Sequence, residues 1–189
     1  MDEAFQLALY PRQHYCLGAR LEPLTVGHVI ILHRLNSPFF FNLAVGAIQL
    51  FEAVFICSQP HGQALRNMRR WWTPMLLRCW ARRHRKTDLK AELAAFERYL
   101  DESMTVARVK RDAGSRLESC GSPWPIRIAV ALMVDFRWTE AHALDCPLVK
   151  ANALLACRAE MRGELKLWTD RDHAFLAWAK AQEAGKGMN

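Results

Sequence analysis

Serine or threonine stands directly before proline at three places in this chain, Ser37-Pro38, Thr73-Pro74 and Ser122-Pro123. A side-chain acceptor at the N-cap with proline at the first helical position marks a helix start, because the N–H that proline lacks would be unpaired there anyway. Thr25, Thr139 and Thr169 read as further caps, and Thr169-Asp170-Arg171-Asp172 approximates a capping box with Asp where Glu is usual. This punctuation predicts helices near 25–35, 39–57, 62–72, 74–86, 88–111, 124–136, 139–145, 148–162 and 170–184. The fold class expected is all-α, an irregular bundle of short helices. Gly114 to Pro125 holds Gly121 and two prolines and reads as a linker, 114–125, between an N-terminal helical region at 1–113 and a smaller C-terminal one at 126–189. Val26–Leu32 and Ile126–Val134 are β-branched enough to suit strands as well.

A chain of 189 residues, 51% of them aliphatic, aromatic or cysteine, is too apolar for disorder and large enough to build a core without disulfides. None of its six cysteines forms a Cys-x-x-Cys pair, so reduced and mostly buried thiols are expected. The N-terminus, Met-Asp-Glu-Ala, is acidic where a secretory or mitochondrial leader would be basic, which points to the cytoplasm.

Two stretches have clear periodicity. Leu89, Leu93, Phe96, Leu100, Met104 and Ala107 recur at three- and four-residue steps and form one apolar stripe. Residues 39–57 carry a single charge, Glu52, and as one helix would be about 28 Å long, near the hydrocarbon thickness of a bilayer. Asn42, Gln49 and Glu52 fall on one side of that helix. Such a polar seam favours a soluble bundle helix, facing water or a polar partner, over a membrane anchor.

Charge is concentrated in one segment. Residues 61–90 hold nine Lys/Arg against Asp88, leaving 17 basic and 18 acidic residues elsewhere in a chain of net charge +7. At 100° per residue, Leu65, Met68, Trp72, Met75, Leu76, Cys79 and Trp80 share one side, with Arg66, Arg70, Arg78, Arg82 and Arg85 mostly opposite and Arg69 and Arg83 intruding. Three readings stand: a core helix with an arginine-rich wet face, a phosphate-facing helix with Trp71 free to stack, and a surface for an acidic protein or membrane. The candidate partner-binding residues are Arg66, Arg70, Trp71, Trp72, Arg78, Trp80, Arg82, Arg83 and Arg85.

No catalytic or metal-binding pattern accompanies this segment. The seven histidines are scattered, and Cys79/His84, His14/Cys16 and His28/His33 lack the second pair a tetrahedral zinc site needs. His-Glu-x-x-His, glycine-rich phosphate loops and Gly-x-Ser-x-Gly are absent. The reading is no enzyme and no cofactor. A helix-turn-helix at Thr139–Ala156 is conceivable, but its second helix offers little to bases or phosphates.

Leu21-Glu22-Pro23-Leu24-Thr25-Val26-Gly27-His28, then Leu32-His33-Arg34-Leu35-Asn36-Ser37-Pro38-Phe39, form an opening and a close around one helix. Trp124-Pro125, Trp138-Thr139-Glu140 and Ala143-Leu144-Asp145-Cys146-Pro147-Leu148 punctuate the C-terminal part. Residues 20–40 and 123–180 thereby resemble small helical proteins from the tail-morphogenesis region of tailed bacteriophages and prophages, the tail assembly chaperones among them. The resemblance implies a protein partner, a tape-measure or tail-tube chain bound during assembly, and no catalytic residues. It does not extend to 61–90.

Overall fold

A computed structural model describes residues 2–41, 43–84, 86–107, 109–110, 121–169, 172, 174 and 175. Among them run α1 (Glu3–Leu9), α2 (Val26–Arg34), α3 (Ala47–Cys57), α4 (His61–Met68), α5 (Thr73–Arg83), α6 (Leu89–Ser103), α7 (Trp124–Phe136), α8 (Glu140–Asp145) and α9 (Leu148–Met161). The fold is all-α, an irregular bundle of short helices. Both β-branched stretches are helical, as α2 and α7. Two short antiparallel ladders accompany the helices: β1 (His14–Cys16) with β2 (Ala19–Leu21), and β3 (Val109–Lys110) with β4 (Lys166–Leu167). The first is a hairpin that cap reasoning missed. Its turn residues Leu17 and Gly18 have φ of 50° and 70°, the left-handed pair a type I′ turn requires. Leu17 is held there by burial and by its N–H, which donates to Glu92 Oε2 at 2.6 Å.

Caps behave according to whether the side chain reaches back. Thr25 completes a reciprocal capping box with His28, and Thr139 accepts from the His142 N–H. Thr169 and Asp172 also exchange bonds, although most of the helix expected at 170–184, like residues 114–120 of the linker, lies outside the described residues. The hydroxyl–proline pairs cap nothing. Pro38 opens only a 3-10 turn, Pro38–Phe40, while α5 starts at Thr73 and α7 at Trp124, each without a side-chain cap. The Thr73 hydroxyl instead donates to the Asn67 carbonyl and ties α5 to the end of α4.

The uncharged run 39–57 is not one helix. Phe39 and Phe40 turn inward, Phe39 to 4.8 Å from the Phe96 ring and Phe40 to 6.2 Å from that of Trp124. The chain then stays non-helical through 43–46 before α3 begins, eleven residues or about 16 Å long. Among the described residues no helix is long and apolar enough to cross a membrane. Asn42 lies outside them, so the polar seam is left with Gln49 and Glu52. Likewise the helix expected at 88–111 ends at Ser103. Of its expected stripe Phe96 and Leu100 are buried and Leu89 is exposed, Tyr99 is buried beside them, Met104 caps the helix, and Val109 and Lys110 belong to β3.

One core draws on both sides of the expected linker. Leu24, Val29 and Leu32 from the N-terminal region pack in the same cluster as Leu132, Leu148 and Ala151 from the C-terminal one. Backbone bonds close the joint. Leu148 N–H donates to the Leu24 carbonyl at 2.7 Å, and Val26 N–H to the Cys146 carbonyl at 3.0 Å, around a Thr25–Pro147 bridge. The two stretches carrying the phage-tail resemblance therefore meet each other. The second helix of the imagined helix-turn-helix, α9, buries Leu148, Val149, Ala151 and Ala153 in the fold. A satellite cluster of Ala4, Ala107 and Leu167 seats α1 on α9.

Candidate functional site

The basic segment folds as an arm of two helices, α4 and α5, held against α3. Between them, residues Arg69 to Trp72 leave the helical path, and this interruption resets the phase of α5. Its inward face is Thr73, Leu77, Trp80 and Ala81, at steps of four, three and one, followed by His84. Trp80 and His84 lie 5.5 and 6.1 Å from the Phe51 ring of α3. Met75, Leu76 and Cys79, expected on one side with Leu65, Met68, Trp72 and Trp80, are therefore exposed instead.

The candidate residues separate accordingly. Trp80 packs inward and is a structural residue, not part of an exposed surface. Trp72 is half-buried, with the Arg70 guanidinium 5.2 Å from its ring centroid in a cation–π arrangement. Trp71 stands almost fully in solvent, 89% exposed. Arg66 and Arg70 are exposed on α4 and the turn, and Arg78, Arg82 and Arg83 on α5. Arg85 lies outside the described residues. Among the described residues no carboxylate comes within ion-pair distance of Arg66, Arg69, Arg70, Arg78, Arg82 or Arg83. Arg78 and Arg82, four apart on one helix, repel each other by about 0.2–0.5 kcal/mol.

α3 and the arm enclose a groove of about 610 Å³. Ile48 and Phe51 of α3, Met68 of α4, and Pro74, Leu77 and Ala81 of α5 make it apolar. Arg78 and Arg82 form one rim. Glu52, the sole charge on α3, lines it from the α3 side and has no hydrogen bond or ion pair among the described residues. Burial raises the Glu52 pKa above the ordinary carboxylate value. Glu52 also borders a second cavity of about 250 Å³ beside Asn36, Ser37 and Gln49. Nothing in the local sequence shows that Ile48, Phe51, Leu77 and Ala81 line one groove. The only signal was the polar seam that singled out Glu52 and Gln49.

Elsewhere the motif-like residues are structural. His28 is fully buried, and its Nε2 lies 2.8 Å from the Gln59 carbonyl. A carbonyl only accepts, so Nε2 carries the proton and Nδ1 accepts from the Thr25 N–H at 3.2 Å. Burial pushes its pKa down to about 4. Gly27 lets the His61 ring lie against α2, where a Cβ would come within 2.5 Å of it. His61 Nδ1 reaches Asp145 Oδ1 at 2.9 Å. Among the described residues no three His, Cys, Asp or Glu side chains gather to hold a metal ion. The described cysteines are free. Cys16, Cys57 and Cys146 are buried and Cys79 is exposed.

Comparison of the chain with protein-family models, with curated proteins and with solved structures finds no match. The functional reading therefore rests on the arm and its groove.

Proposed function

We propose that this chain is a non-enzymatic protein-binding factor of a phage or prophage tail module, acting in the cytoplasm on a tape-measure or tail-tube protein while the tail is assembled. The observation that carries the binding reading is the arm. It sets arginines that have no carboxylate partner among the described residues beside exposed Trp71, Met75 and Leu76. Each large apolar side chain left in water forgoes about 1.5–3 kcal/mol that burial under a partner would return. An acidic partner would also relieve the repulsion among the arginines. The resemblance at 20–40 and 123–180 supports the tail module. Those segments form the core joint, so what they share with such proteins is scaffold, while the arm supplies the partner's contacts.

The test is co-expression with the tape-measure and tail-tube proteins of the same module, followed by capture at low salt with and without nuclease. A nuclease-resistant complex is the expected result, and no complex with either protein removes the reading. A second reading has one observation in its favour: Trp71 is free to stack on a base beside Arg69 and Arg70. It predicts nucleic-acid binding that weakens steeply with salt and disappears when Arg82, Arg83 and Arg85 become Glu.

A further inference from the structure

The groove between α3 and α5 has features the arm's net charge does not explain. Its lining is apolar, and Ile48, 68% exposed, lies at its edge. Its charges are of both signs and, among the described residues, unpaired: Arg78 and Arg82 on the α5 rim, Glu52 on the α3 wall. A carboxylate held half-buried without a partner is unfavourable, as its raised pKa records. Pairing with a cation would remove that penalty.

These charges discriminate among occupants. A nucleic acid entering the groove would bring phosphates against Glu52 and offer little to Phe51 and Leu77. A second copy docking α5 on α5 would oppose arginine with arginine, since neither α4 nor α5 contains an acid. An amphipathic helix fits: its apolar stripe at i, i+3, i+4 and i+7 fills a groove of this kind, and its two flanks carry independent charges.

Resting on the protein-binding reading, we infer that the α3–α5 groove receives one amphipathic α-helix of the partner, with Asp or Glu on the flank facing Arg78 and Arg82 and Lys or Arg on the flank facing Glu52. The rim charges set which helix is accepted, and the apolar floor holds it.

Three fluorescein-labelled peptides of about 18 residues, sharing one Leu/Ala stripe, test this by anisotropy. One carries Glu on one flank and Lys on the other, one carries Glu on both, and one carries Lys on both. The mixed peptide is expected to bind at least about tenfold more tightly than the all-Lys peptide and a few-fold more tightly than the all-Glu peptide. Arg78→Glu with Arg82→Glu should reverse the first preference, and Glu52→Gln should abolish the second. Ile48→Asp, at an exposed position, should remove all binding without unfolding the protein. Equal affinity for the three peptides, or full affinity in Ile48→Asp, overturns the inference. A tail-protein complex that survives Ile48→Asp would leave the protein-binding reading standing and remove the groove. Charge-selective peptide binding in a chain that captures no tail protein would uphold the groove and remove the tail reading.

Discussion

Acid should unfold this protein through His28. In the native state the ring is completely buried, and both nitrogens are used by the neutral form. A second proton would sit on Nδ1, face to face with the Thr25 N–H, and break the capping box that starts α2. Burial, the main cause, together with the nearby His61 charge, lowers the pKa from 6.5 to about 4. The depressed value means the unfolded chain takes up this proton first. The stability is fully present above pH 6.5, falls as the pH drops below it, and is lost by about pH 4. A gap of this size corresponds to about 3 kcal/mol in full, of which about 2 kcal/mol is gone by pH 5. Urea unfolding followed by far-UV circular dichroism at pH 7.5 and pH 5 reads the effect. His28→Gln, which keeps a donor for the Gln59 carbonyl but does not titrate, supplies the reference. The natural protein should lose about 2 kcal/mol more than the variant between the two pH values. If the two lose stability in parallel, His28 is not the acid-sensitive group and the assigned tautomer and burial are wrong.

Gly27→Ala should destabilise the fold by about 1–3 kcal/mol in the same assay, because the new Cβ collides with the His61 ring; an unchanged midpoint would mean that His61 does not rest on α2. Thiol labelling with peptide mapping should modify Cys79 quickly and reach Cys16 and Cys57 only on unfolding, since burial raises both of the latter to about 12. Equal labelling rates would contradict the arm's orientation. Trp71→Ala should change stability by less than about 0.5 kcal/mol while weakening partner capture. Leu132→Ala, fully buried where the two regions meet, should lose about 2–5 kcal/mol and make the whole chain, not one half, unfold earlier.

Helix type and several helix starts were legible from neighbouring residues. Thr25 and Thr139 cap as their spacing predicts, and Thr169 exchanges bonds with Asp172, because a cap is a contact across three residues. Proline after Ser or Thr does not make that residue a cap here. Ser37 and Ser122 make no cap bond, and the Thr73 hydroxyl goes to Asn67 instead. The hairpin at Leu17-Gly18 is not legible locally, because its left-handed Leu is held by burial and by Glu92, 75 residues away. For the site, the concentration of arginine and the isolation of Glu52 could be read directly. The inward turn of Trp80 and the outward turn of Met75, Leu76 and Cys79 could not, since a four-residue interruption before α5 rotates everything after it.

The amino-acid order alone determined the all-α class, the burial of Phe96 and Leu100 on α6 and the location of the excess charge, since each follows from periodicity or composition within a short window. Tertiary structure decided the rest. It broke the uncharged run where Phe39 found Phe96, joined 24–26 to 146–148, gave Gly27 and His28 structural work, and set Glu52 opposite Arg78 and Arg82. Each of these depends on residues far apart in the chain meeting in space, and local propensity carries no information about such meetings.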